Sequence, residues 1–307
     1  MDKMNYVMYY EFDNFDDLYE CRPCVRHGTT FQIFDCIVKF YRLNNEQITF
    51  WVNGENHTKE EAEEIFEKTS KLLSYILALP FYSRDNDFRE VQWNLQTNNL
   101  LAVKKEKAIK KIEKAISKFD KTKVFFDETL DLLIVAFDNL YKCRKEDAFI
   151  YFFKVIERIA KQYYMTYIQR HHTKAVTSKN KLKLKEILKK YASSNLNVTL
   201  TEDILNRKVD LLYKEIKMEF YGSVFNKISL FITREKINVD VKQISKLVKL
   251  RNKIAHGDTV NDDALTKYLW YCEYLAMQMF SKRFFGESYE KLHIKSYRYS
   301  EKDDFYM

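Results

Sequence analysis

The segment KLVKLRNKIAHGD, Lys246 to Asp258, decides how the rest of the chain is read. It is an apolar, lysine-rich helix that ends on Arg251, Asn252 and His256 and stops at Gly257, in a chain with only 5 Gly and 6 His. Two readings compete for that ending. In the first it is only a helix terminus, with His256 favourable against the dipole and Gly257 as the cap. In the second it is a reaction centre, and the surrounding sequence has to decide between them.

The chain has 307 residues, 46% of them hydrophobic, which is enough for one large domain or two ordinary ones with real cores. Gly and Pro together number 7, so turn-rich β architecture is disfavoured and helix is favoured. No stretch of about 18 apolar residues lacks a charge, so no membrane span and no membrane partner is expected. The start, MDKMNYVMYYEFDNFDD, has early acids and no small-residue cleavage site, which points to a cytoplasmic protein. Cysteines 21, 24, 36, 143 and 272 form an odd, scattered set, as expected of reduced thiols.

The net charge of +8 hides a split. Residues 1–100 carry 10 Lys and Arg against 17 Asp and Glu, and residues 101–307 carry 42 against 27. The back two thirds could hold a polyanion and the front third would not.

Two textures meet near residue 100. TTFQIFDCIVKFYRL and EQITFWVNG read as an antiparallel strand pair, and TKEEAEEIFEKTSKLLSYILALPF as a helix opening on Thr58. Residues 81–99 lose helical period and read as a loop or one more short strand. LLAVKKEKAIKKIEKAISKF reads as a basic connector helix. Phe125–Cys143 and Glu146–Ile168 are long apolar helices whose short connection makes them antiparallel neighbours. A polar loop holding His171 and His172, then a basic helix, one or two helices over 202–232, the Lys246 helix and an aromatic-rich last helix complete a bundle. The fold expected is mainly α: a helical bundle over 121–307, a connector over 101–120, and a smaller α+β N-terminal domain over 1–100.

Arg251 and His256 have the spacing R-x4-H, with Asn252 and Gly257 beside them, and FFKVIERIAKQYY places the lone acid Glu157 on an apolar helix upstream. Over about residues 120–285 the chain resembles the HEPN superfamily, helical-bundle proteins of prokaryotic defence, toxin and RNA-processing systems, in its Apea-like and abortive-infection branches. The resemblance implies a homodimeric, metal-independent endoribonuclease of phage defence or of a toxin–antitoxin system. It implies no cofactor, an RNA substrate, and an antitoxin or phage-derived trigger acting on the N-terminal domain. Toxins of this superfamily silenced by nucleotidyl transfer have a tyrosine two residues after the motif histidine. Asp258 stands there instead, free to orient His256 but not to be modified that way.

The chemistry fits the residue types. Cleavage through the ribose 2′-OH needs a base, an acid and positive charge beside the phosphorane. Histidine has both protonation states available near neutral pH, and arginine offers a permanently charged bidentate fork. Asn252 can donate to phosphate or fix the imidazole tautomer. On an uninterrupted helix, residues five apart are rotated by about 140°, so Arg251 and His256 would not share a face. Ending the helix at Gly257 is expected to bring them part of the way together, and a two-fold axis past the motif the rest. Lys249, Lys253 and the lysines of KNKLKLKEILKK, among them Lys181, Lys183 and Lys185, are the candidate phosphate track.

Other constellations carry less. Arg22 and His27 repeat the R-x4-H spacing beside the helix breaker Pro23 in acidic surroundings, a chance match. Cys21, Cys24 and His27 have metal-like spacing but want a fourth ligand, for which only Cys36 and His57 are at hand, so no metal is expected. No phosphate-loop, dinucleotide or zincin motif occurs. The alternatives to a nuclease are a non-catalytic RNA- or protein-binding module and a structural dimerisation subunit.

Overall fold

A computed structural model of the chain describes residues 5–11, 30–42, 46–81, 87–92, 106–117, 123–175, 178–195 and 198–292. The elements are β1 (Asn5–Glu11), β2 (Thr30–Ile33), β3 (Cys36–Arg42), β4 (Glu46–Val52), α1 (Lys59–Leu77), β5 (Asp87–Val91) and α2 (Glu106–Ile116). They continue with α3 (Lys123–Tyr141), α4 (Lys145–Ala175), α5 (Ser178–Asn195), α6 (Glu202–Gly222) and α7 (Val224–Glu235). The last are α8 (Val241–Ala255), α9 (Asp262–Phe285) and α10 (Tyr289–Leu292). The protein is mainly α, with a small antiparallel sheet in the N-terminal region, as expected. Among the described residues no helix is long and apolar enough to cross a membrane.

Two compact units divide the chain: Met1–Val155 with Asn261–Met307, and Ile156–Val260. In the first unit the sheet runs in the order β2-β3-β4-β1-β5. The run expected as one strand over TTFQIFDCIVKFYRL is two, folded at Phe34-Asp35 with Ile33 opposite Cys36. Phe34 turns the chain at φ 51°, a conformation usually left to Gly or Asn, so no turn residue announced it. Its N–H donates to the Glu113 carboxylate of α2. The N-terminal stretch read only for targeting signals supplies β1, which pairs with both β4 and β5.

Helix α1 starts where its sequence says it should. Thr58 Oγ1 accepts from the Glu61 N–H and Glu61 accepts from the Thr58 N–H, a complete capping box. Its buried side carries Ala62, Phe66, Leu72 and Leu73, and Phe66 meets Phe88 of β5 at 5.8 Å between ring centroids. Phe137 of α3 and Phe152 of α4 meet edge-on at 5.4 Å, as their short connection implied. Helix α9 carries the densest part of this core: Phe280 lies 4.9 Å from Tyr75, 5.6 Å from Phe126 and 4.7 Å from Phe284.

The second unit contains α4 from Ile156 onward and α5 to α8. The segment 202–232 resolves into two helices because Ser223 leaves the helical region at ψ 148° and its Oγ accepts from the Asn226 N–H at 3.1 Å, capping α7. The polar loop expected at His171 and His172 is instead the last turn of α4. Tyr163 of α4 packs edge-on against Phe231 of α7 at 4.9 Å.

Phe280 is fully buried inside its ring cluster. Phe280→Ala is expected to cost about 3–5 kcal/mol of stability, read from the denaturant midpoint at constant slope.

Candidate functional site

Helix α8 begins at Asp240, whose Oδ1 accepts from the Lys242 N–H at 2.9 Å. Ile244, Leu247 and Leu250 form its buried stripe. At 100° per residue Arg251, four residues after Leu247 and seven after Ile244, falls on that inward stripe. Lys246, Lys249 and Lys253 fall on the opposite side and are exposed. The inward stripe faces the acid singled out on α4: Arg251 Nη2 donates to Glu157 Oε2 at 3.2 Å. Arg251 Nη1 donates to Asn252 Oδ1 at 3.1 Å. The two partners are 35% and 31% exposed, which limits the pair to at most about 1 kcal/mol of stability. Its effect is directional, because it fixes where the guanidinium points.

The end of α8 is a Schellman cap. The Gly257 N–H donates to the Ile254 carbonyl and the Asp258 N–H to the Lys253 carbonyl, both at 3.0 Å, with Gly257 at φ 76°. His256 lies before that reversal, at φ −92° and ψ 0°, still in the right-handed region. The expectation that the helix end swings His256 toward Arg251 is therefore not met. The chain turns one residue too late, and the imidazole stays on the exposed side with Lys249 and Lys253. Among the described residues His256 makes no side-chain hydrogen bond or ion pair. Asn252 is engaged by Arg251 rather than by the imidazole, and Asp258 makes no hydrogen bond to it.

The candidate phosphate track divides. Lys181 Nζ bonds Asp210 Oδ1 at 2.6 Å, and Lys185 pairs with the Glu202 carboxylate. The Lys185 ammonium holds the Glu202 carboxyl below its usual range. Lys183, Lys249 and Lys253 are exposed and enter no ion pair among the described residues.

Cys21, Arg22, Pro23, Cys24 and His27 lie outside the described residues. Of the fourth ligands considered, Cys36 is fully buried, and burial pushes its thiol up to about 12. His57 lies 3.5 Å from Asp35 and 3.9 Å from Glu61. Among the described residues no cluster of three His, Cys, Asp or Glu could hold a metal.

Residues 151–284 match the protein family described as RiboL-PSP-HEPN. The match begins inside α4 and ends inside α9, so it includes Glu157, the whole of α8 and its cap. No curated protein and no solved structure matches the chain.

At Gly257 a Cβ would meet nothing within 4 Å, so only the backbone resists substitution. Gly257→Ala is expected to cost about 1–2 kcal/mol and Gly257→Asn less, read from thermal melts of both variants beside the wild type.

Proposed function

Starting from a chain whose residues 151–284 form a HEPN-superfamily domain, we propose that it is a metal-independent endoribonuclease. Its catalytic residues in this reading are Arg251 and His256, with Asn252 as a positioning residue. The observation that carries the proposal is the pairing of Arg251 with Glu157, which presets one arginine at the end of α8 two residues from the exposed lysine Lys253 and five from an exposed histidine. Charge supports an RNA substrate. Residues 156–260 hold 22 Lys and Arg against 10 Asp and Glu, a net of +12 in a chain whose total is +8. The rest of the chain is therefore net acidic.

Within one protomer Arg251 is turned to α4 and His256 to solvent, so the reading requires a second copy. A two-fold axis beside the end of α8 sets the Arg251 of one protomer across from the His256 of its partner. The scissile phosphate sits between them. His256 removes the 2′-OH proton or protonates the leaving 5′-oxygen, and the guanidinium stabilises the phosphorane charge. Asn252 and Glu157 keep the guanidinium in place. Lys249, Lys253 and Lys183 contact neighbouring phosphates, and Lys181 and Lys185 join them by exchanging exposed carboxylates for phosphates.

In the same proposal residues 1–100 form a regulatory domain, 101–120 a connector and 121–307 the nuclease domain. The acidic first part receives an antitoxin or a phage-derived trigger, and the protein serves cytoplasmic phage defence or a toxin–antitoxin pair. One observation favours a second reading, a non-catalytic RNA- or protein-binding dimerisation module: within one chain His256 is exposed and engages neither Arg251 nor Asn252, so no acid/base pair is assembled there.

Cleavage of total cellular RNA in EDTA separates the two. His256→Ala is expected to lower the rate by roughly 10²- to 10⁴-fold and Arg251→Ala by a comparable factor, with thermal midpoints near the wild type. Equal cleavage by His256→Ala overturns the nuclease reading. Mixing the two inactive variants under conditions that exchange protomers is expected to restore part of the activity, and no recovery overturns the shared cleft.

A further inference from the structure

Of the nine large apolar side chains that stand exposed among the described residues, six lie between residues 182 and 211, on α5, α6 and the link joining them. On α5 they belong to a pattern. Leu184, Ile187, Leu188 and Tyr191 have the spacing i, i+3, i+4 and i+7, which is one face of a helix. Leu184 and Leu188 are half-buried along its inner edge, while Ile187 is 64% exposed and Tyr191 54%. This is the seam that one helix offers another: with Leu184 and Tyr191 at a positions and Ile187 at d, Lys183 and Lys190 are the two g positions. Both lysines are exposed and enter no ion pair among the described residues. Lys181 and Lys185, on the opposite flank, are held by Asp210 and Glu202. The lone acid of the helix, Glu186, lies beyond the lysines rather than on the seam.

A face of this kind selects its occupant. Two copies of α5 packed antiparallel would oppose lysines across the seam, and packed parallel would set each lysine against Leu188 with no charge to meet, so a second copy is a poor partner. A strand of RNA offers the lysines its phosphates but offers Ile187 no aliphatic side chain. A helix with aliphatic residues along one face and glutamate or aspartate at the flanking positions satisfies both. We infer that α5 is a docking face for a single acidic amphipathic helix of a partner protein. Ile187 and Tyr191 are its apolar anchors, and Lys183 and Lys190 are the charges that choose an acidic partner. The face lies within the second unit and needs neither Arg251 nor His256. One consequence rests on the RNA reading proposed above: a helix seated on Lys183 excludes an RNA strand from it.

The test is binding of a labelled synthetic peptide to the full-length protein, followed by fluorescence anisotropy. The peptide spans about three heptads, with leucine at a and d and glutamate at e and g, so that its own charges oppose self-pairing. Saturable binding is expected. Ile187→Ser and Tyr191→Ser are each expected to weaken it at least about fivefold. Replacing Lys183→Glu and Lys190→Glu together is expected to weaken the glutamate peptide and to tighten, relative to the wild type, the same peptide carrying lysine at e and g. That reversal also keeps the test alive if a serine variant fails to fold. No saturable binding, equal binding of a peptide of the same composition with its leucines scattered, or unchanged binding by folded Ile187→Ser overturns the docking face. Wild-type self-association abolished by Ile187→Ser overturns it in favour of a second copy. Oligouridine binding lost in Ile187→Ser while peptide binding persists overturns it in favour of RNA, and none of these outcomes touches the nuclease reading.

Discussion

Five residues along an α-helix turn a side chain by about 140°, and that rotation sets the geometry of the candidate centre. Arg251 shares the stripe of Ile244 and Leu247 and is drawn inward to Glu157, while His256 shares the side of Lys249 and Lys253 and stays in solvent. A cap placed at His256 itself would have broken the rotation. The cap is at Gly257, so the rotation persists through the histidine. A single chain thus presents one group preset and facing α4 and one group exposed and unengaged.

The energetics of that arrangement separate fold from chemistry. The core is made elsewhere, by Phe280 and its ring neighbours and by the apolar sides of α1, α3 and α9. The Glu157–Arg251 pair is about one third exposed and contributes little to stability. In the proposed reading the pair's value is to hold a guanidinium in one orientation, which a reaction needs and folding does not.

Much of this was legible in the sequence, for identifiable reasons. Thr58 and Glu61 announce α1 because a capping box is local chemistry. The helix pair around residues 142–144 was legible from periodicity and the brevity of the connection. The β2–β3 hairpin was not, because Phe34 adopts a left-handed conformation its type rarely takes and is held there by Glu113, 79 positions away. The extension of α4 through His171 and His172 was hidden for a related reason: polar residues at a helix end look like a loop when only periodicity is read.

The geometry around the candidate residues was not legible in the sequence. Glu157 could be chosen as the lone acid on an apolar helix, and its meeting with Arg251 is the kind of long-range pairing that sequence suggests only by exclusion. Lys181 and Lys185 looked equivalent to Lys183 in a basic run. What separates them is the placement of Asp210 and Glu202 on the next helix, a tertiary fact. Patterns that close within one turn of helix can be read from the chain. Electrostatic partnerships between helices need coordinates, and in this protein those partnerships decide which charged groups are held and which stay exposed.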